Sequence, residues 1–236
     1  MLSTATPIRH FKLWASAALL TLAMSATPTD AEAQFFIKKP LPQHVAPGQE
    51  AKEFKEDDVV TIKTTLGDIV LLLSDRTPVH KANFIKLAKD GTYTGTTFHR
   101  IIQGFMIQGG DVNSKDADPS NDGAGNVGYT VPAEFDDSLT HVMGAVAAAR
   151  MGDQVNPTKA SSGCQFYIVD NPNGAHFLNR NYTVFGKVIK GIEVVQQIAT
   201  QPKGPNDRPL TNIVMTVEVK TMRRSRIEDE FKIKYN

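Results

Sequence analysis

Phe98-His99-Arg100-Ile101-Ile102-Gln103-Gly104-Phe105-Met106-Ile107-Gln108-Gly109-Gly110-Asp111 is the most informative stretch of this 236-residue chain. Side chains alternate across a strand, so Arg100 and Ile102 face one way while His99 and Ile101 face the other. Gly104 marks a turn, after which Phe105, Met106 and Gln108 follow. A plain core strand has no use for an arginine, which is costly to desolvate unless paired. Arginine and a glutamine amide beside a Phe/Met surface describe an apolar pocket with two strong donors at its rim. His99, on the opposite face, reads as a structural histidine with a hydrogen bond in the interior.

The flanking sequence is β-rich from about 59 to 222, without internal repeats or low-complexity segments. Val59–Thr64 and Ile69–Leu73 read as a hairpin around Thr65-Leu66-Gly67-Asp68. Thr77-Pro78 reads as an N-cap followed by proline in the first helical turn, and Gly91 as the stop. Between them Val79, Ala82, Phe84, Leu87 and Ala88 carry the apolar face. Further short apolar runs lie at 98–102, 105–107, 143–149, 165–169, 183–188 and 213–219, separated by Gly, Asn, Asp and Pro. Ile192–Ala199 is a second helix. Many short strands with two helices predict an antiparallel sandwich or barrel rather than βαβ units.

The two ends differ from this body. Arg9 and Lys12 precede a mostly apolar Leu13–Met24, and Ala31-Glu32-Ala33 supplies a small-x-small cleavage pattern. Residues 1–33 therefore read as a signal peptide cut before Gln34, with the mature chain periplasmic or secreted. Residues 34–58, proline-rich and then charged, read as a linker. Residues 223–236 open with Arg223, Arg224 and Arg226 and read as a solvated basic tail, although Ile227 and Phe231 are spaced for one face of a short helix.

Composition excludes several functions. With 26 basic and 25 acidic side chains the chain lacks the surplus that phosphate neutralisation demands, so no nucleic-acid partner is expected. The one cysteine, Cys164, allows neither an internal disulfide nor a cysteine zinc cluster. None of the six histidines has metal-site spacing, and no metal or cofactor is expected. Gly104-x-x-x-x-Gly109 lacks the Lys-Ser/Thr of a phosphate loop, and Gly123–Gly128 does not open a helix after a strand. No Gly-x-Ser-x-Gly elbow exists.

The segment at 98–111 resembles the signature of cyclophilin-type peptidyl-prolyl cis–trans isomerases. The resemblance runs over almost all of 59–222, through the Thr-x-x-Gly-Asp-Ile hairpin, Asn83-Phe84, and the Gly-Tyr-x-x-x-x-Glu-Phe loop ending at Phe135. It continues through Gly144–Ala149, Gln165-Phe166-Tyr167-Ile168, Phe177-Leu178 and Val184-Phe185-Gly186-Lys187-Val188. It implies a mainly β fold, a closed eight-stranded antiparallel barrel capped by two α-helices, with the proline site on its outer face. Position by position, Arg100 matches the catalytic arginine, and Phe105, Met106, Tyr167 and Leu178 match the pocket for the proline ring. Gln108 and Gln165 match residues that bond the substrate backbone or fix the arginine. Ala149, Arg150 and Met151 fall where the family runs a strand edge along the peptide, Arg150 acting mainly through its backbone.

Phe177 and Tyr182 stand where many eukaryotic members have tryptophan and histidine, which looks like the bacterial branch; without the indole N–H, cyclosporin-type inhibitors are expected to bind weakly. Two departures are Gln103 in place of a frequent proline and a longer connection from Gly152 to Gly163. The implied substrates are proline-containing polypeptides, among them folding exported proteins, handled by a monomer without stable membrane insertion. A non-catalytic peptide-binding module or holdase using the same groove is the alternative; an assembly protein relying on its tail and a β-barrel ligand carrier are weaker ones. Retention of the arginine favours catalysis, because binding alone does not need that donor.

Overall fold

Strand β1 (Glu56–Thr64) turns through Thr65-Leu66 into β2 (Gly67–Leu73). The Thr64 hydroxyl locks the turn, donating to the Gly67 carbonyl at 2.8 Å and accepting from the Leu66 N–H at 3.1 Å. Gly67 sits at φ +128°, where a Cβ would also lie 2.9 Å from a methyl of Val194, so glycine is required. The computed structural model describes residues 55–235. The expected leader, its cut before Gln34 and the linker up to residue 54 lie outside the described residues.

Helix α1 (Pro78–Lys89) follows, then β3 (Arg100–Ile102), β4 (Met106–Gly109), the two-residue β5 (Thr130–Val131) and β6 (Ala145–Ala148). Next come β7 (Ser161–Ser162), β8 (Phe166–Val169), β9 (Val184–Lys190), α2 (Ile192–Ala199), β10 (Met215–Arg223) and α3 (Arg224–Phe231). Eight strands form one antiparallel sheet in the order β10-β1-β2-β9-β6-β8-β4-β3, and β5 pairs with β7. The flanks of the two end strands meet in an antiparallel bridge, Thr97 to Val214. There the Phe98 N–H donates to the Ile213 carbonyl at 3.0 Å. One face of the sheet packs on a core of Ile62, Leu71, Phe84, Ile101, Ile107, Phe166, Ile168 and Phe185, joined by Val195 and Ile198 of α2.

The structure corrects four expectations. Helix α1 buries His80, Phe84, Leu87 and Ala88, whereas Val79 and Ala82 face outward. The spacing 4, 3, 1 makes a tighter inward stripe, and His80 joins it because both ring nitrogens find partners. Thr77 makes no capping bond; the Glu134 carboxylate, 55 residues beyond Val79, caps the helix instead. It accepts from the Val79 N–H at 3.1 Å and the His80 N–H at 2.9 Å.

The linker ends earlier than its charge suggests, for Glu56–Asp58 pair with Thr221–Arg223. Asp57 is buried there against the Lys81 ammonium at 2.6 Å and Arg224 at 3.5 Å. The tail is not a solvated one. It contains a third helix that buries Ile227 against Val59, Val70 and Met222, with Phe231, Ile233 and Tyr235 packed around them. The charge of the arginines hid an apolar stripe that the sheet's outer surface covers.

Candidate active site

Strand register assembles the site. Arg100 lies opposite Gln108 and Ile102 opposite Met106; Gln108 in turn lies opposite Tyr167, and Tyr167 opposite Ala147. All these side chains stand on the face of the sheet turned away from the main core, while Ile101, Ile107, Ile168 and Val146 point into it. The turn that starts β4 is fixed by Gly104 at φ +73°, a left-handed conformation costly for other residues. Asp170 clamps it, its carboxylate accepting from the Gly104 N–H at 3.1 Å and its own N–H donating to the Phe105 carbonyl at 2.8 Å.

The result is a pocket of about 170 Å³ on the outer face. Arg100 and Gln108 stand on one side, Phe105, Met106, Tyr167 and Leu178 form the apolar floor and wall, and Ala149, Arg150 and Tyr182 close the other side. Two expected residues lie outside the lining. Gln165 is buried behind Gln108, and Phe177, 71% exposed, stacks on Phe105 at 5.8 Å between ring centres.

A chain of neutral amides holds the guanidinium. Arg100 Nη1 donates to Gln108 Oε1 at 3.5 Å, and Gln108 Nε2 donates to Gln165 Oε1 at 3.1 Å. Gln165 Nε2 then donates to the carbonyls of Gly123 and Gly125, at 3.0 and 2.9 Å. The two carbonyls accept only, so they fix the orientation of Gln165 and through it that of Gln108. On its other side Arg100 meets Asp207 at 3.9 Å, a carboxylate that the Lys203 ammonium holds more closely at 2.7 Å. The Arg100 side chain stays 41% exposed, so the ion pair leaves it a route to solvent. Asp207 escaped sequence reasoning: it lies 107 residues downstream, in a turn where Asn206 and Asp207 both take positive φ.

The floor is held from beneath by His141, another residue that the sequence did not single out. His141 Nδ1 lies 2.9 Å from Asn179 Oδ1, an acceptor, so it carries the proton; Nε2 then accepts from the Tyr167 hydroxyl at 2.8 Å. Burial pushes the His141 pKa down and the Tyr167 pKa up, keeping both neutral. The Arg150 guanidinium is spent within the protein. It donates to the Asn181 carbonyl at 2.6 Å, pairs with Asp153 at 2.6 Å and lies 4.5 Å over the Tyr182 ring.

Two further histidines are buried. His80 bridges Glu134 at 2.6 Å and Ser161 at 2.9 Å; burial pulls its pKa down, against the upward pull of Glu134. His99 departs from the expected hydrogen-bonded imidazole. Neither ring nitrogen has a partner of good geometry among the described residues, with the Thr97 backbone a weak polar neighbour.

Comparison with known proteins agrees with this arrangement. The family model described as cyclophilin type peptidyl-prolyl cis-trans isomerase matches residues 59–219. A peptidyl-prolyl cis-trans isomerase of Arabidopsis thaliana is 40% identical over 161 residues, covering 65% of this chain and 90% of the relative. A probable peptidyl-prolyl cis-trans isomerase of Brucella suis is 38% identical over 184 residues, covering 73% and 89%. Among solved structures, a cyclophilin type isomerase of Cryptosporidium parvum superposes with TM-score 0.60 at 28% identity, over 70% of this chain and 98% of that one. The same protein has been solved in the presence of the dipeptide Ala-Pro.

Proposed function

The chain belongs to the cyclophilin-type family and is a peptidyl-prolyl cis–trans isomerase acting on proline-containing peptides; from that premise we propose that Arg100 is its catalytic residue. The proline ring enters the outer-face pocket over Met106 and Tyr167. The observation that carries this reading is the Arg100 guanidinium at the pocket's rim, oriented by Gln108 yet open to solvent. That a similar isomerase was solved in the presence of Ala-Pro supports a proline-containing peptide as the ligand class.

The chemistry needs no nucleophile. Rotation about a peptide bond meets a barrier of ~18–20 kcal/mol because the C–N bond is partly double. As the bond twists, amide resonance is lost and the proline nitrogen regains a lone pair. It becomes a hydrogen-bond acceptor that the planar ground state lacks. A guanidinium aimed at that nitrogen binds the twisted form selectively, which is the requirement for catalysis. Arginine keeps its proton, so its role is donation rather than proton transfer.

Gln108 holds a flanking carbonyl with its remaining N–H. Gln165, whose amide is engaged with Gln108, Gly123 and Gly125, works by positioning Gln108. The Arg150 backbone N–H and C=O have no hydrogen-bond partner among the described residues and pair with an extended peptide. Every one of these groups comes from a single chain, which supports action as a monomer. The Thr97–Val214 bridge supports closure of the eight-stranded sheet into a barrel.

The leader-like first 33 residues support an exported bacterial enzyme, periplasmic or secreted, that assists the folding of exported proteins. A protease-coupled assay on an X–Pro tetrapeptide tests the activity; absence of turnover overturns it. Mass analysis of the protein from an envelope fraction tests export. A mature chain beginning at Gln34 is expected, and an intact Met1 overturns the export reading.

A further inference from the structure

Past the guanidinium, on the side away from the proline pocket, opens a cavity of about 770 Å³. Arg100 and Gln108 line both spaces, so the two are contiguous. The volume falls among ligand clefts of about 300–1,000 Å³, whereas the proline pocket holds little more than one ring. Its mouth is apolar. The exposed Pro119, Pro205 and Leu210 line it, Leu210 being 70% exposed.

The charges along its wall cancel internally. The lining carries two cations, Arg100 and Arg208, and two carboxylates, Asp122 and Asp207, so its formal charge sums to zero. Arg208 is bound to Asp122 at 2.6 Å, and Asp207 lies 3.9 Å from Arg100 and 2.7 Å from Lys203 outside the lining. His99 lies in the lining, 5% exposed, and burial keeps its imidazole neutral. His80 and His141 have partners on both nitrogens, so the unpaired ring of His99 stands apart in a protein interior, where buried polar groups are nearly always paired.

We propose that this cavity is a second substrate subsite, receiving the polypeptide segment that leaves the X–Pro bond on the side opposite the Ala149–Arg150 edge. Its neutral wall and apolar mouth select uncharged segments with an apolar side chain to cover Leu210. Backbone amides of the segment lie over the Gly123 turn, above His99. The inference rests on the assignment of proline to the smaller pocket, and it makes the enzyme sensitive to sequence beyond the residues next to the proline.

The test compares kcat/KM for an X–Pro tetrapeptide with that for the same peptide extended by three uncharged residues, one leucine among them, at either end. Extension at one end is expected to raise kcat/KM at least fivefold. Leu210→Asp and Ser120→Trp, the second placing bulk at the cavity's rim, are expected to abolish that gain. Both should leave tetrapeptide turnover within twofold, which also shows that they fold. In parallel, the His99 ring resonances are followed by NMR during titration with each peptide. Shifts with the extended peptide alone support the subsite. Equal kcat/KM at all lengths, a gain that survives both variants, or unmoved His99 resonances overturn it. Lack of tetrapeptide turnover overturns the catalytic reading instead, while the titration still reports on the subsite.

Discussion

Replacing Arg100 by alanine removes the one donor that the reaction is argued to require while disturbing little else. Its two polar partners are distant, Gln108 at 3.5 Å and Asp207 at 3.9 Å, and its side chain is 41% exposed. Half-exposed pairs of this kind contribute about 0–1 kcal/mol to stability. A domain of this size shifts its Tm by about 2–4 °C per kcal/mol, so Arg100→Ala should melt within about 4 °C of the parent.

Catalysis is another matter. A hydrogen bond from a charged donor is worth about 1.5–3 kcal/mol, and each 1.36 kcal/mol is tenfold in rate, giving about 10- to 150-fold. Loss of one preorganised donor in a shielded site costs about 10²–10³. Solvent reaches Arg100, which places the expectation near 10² in kcat/KM. Arg100→Lys keeps the charge but not the planar fork, so it should retain more activity than alanine and less than the parent. The protease-coupled tetrapeptide assay on both variants measures this, with thermal unfolding alongside. An alanine variant that folds normally and turns over within twofold of the parent would refute the mechanism.

Glu134→Ala should lower stability by about 1–3 kcal/mol, because it leaves His80 and two first-turn N–H groups of α1 unsatisfied; thermal unfolding measures it. Stability should also fall between pH 7.5 and pH 5.5. Burial depresses the pKa values of His80, His99 and His141, so the unfolded chain takes up protons near its ordinary value of about 6.5 while the folded chain refuses them. The carboxylates of Asp75 and Glu134, held low by Lys81 and by His80 with its neighbouring N–H groups, lose their contribution only in stronger acid. A Tm that is flat across this window contradicts the assignment. Ile227→Ala should cost about 2–4 kcal/mol in urea unfolding and leave tetrapeptide turnover unchanged, whereas a solvated tail would lose nothing.

The period-two pattern of 98–108 carried most of the site, because strand alternation and one glycine turn are local properties. They put Arg100 and Ile102 on one face and Phe105, Met106 and Gln108 just past the turn; the register of β3 with β4 then sets Met106 and Gln108 beside them. Ile192–Ala199 was equally legible, since its apolar residues keep a helical period from end to end. What escaped has distant causes. Nothing near Pro78 announces that Glu134 will cap its helix, and nothing near Arg100 announces Asp207. Helix α3 was half legible: the spacing of Ile227 and Phe231 offered it, but the surrounding charges argued for a solvated tail. These two, with Ile233 and Tyr235 beyond the helix, become an apolar face only on the outer side of β1 and β10. Resemblance to a family supplied the roles of Tyr167, Leu178 and Ala149, which alternation alone could not assign.

The contrast between the two arginines of the pocket explains why only one suits the reaction. Arg150 is saturated: a carbonyl, a carboxylate and an aromatic ring use its fork, so a developing lone pair would have to displace them. Arg100 is aimed without being saturated. Its orientation comes from Gln108, a neutral acceptor at long range, which is held by Gln165 and finally by the carbonyls of Gly123 and Gly125. Neutral dipoles orient a cation without cancelling its field, and their order is established when the chain folds rather than when substrate arrives. Asp207 at 3.9 Å is already shared with Lys203, so its pull on the guanidinium is blunted. Selective binding of the twisted imide needs this combination, a donor fixed in direction with bonding capacity still to give.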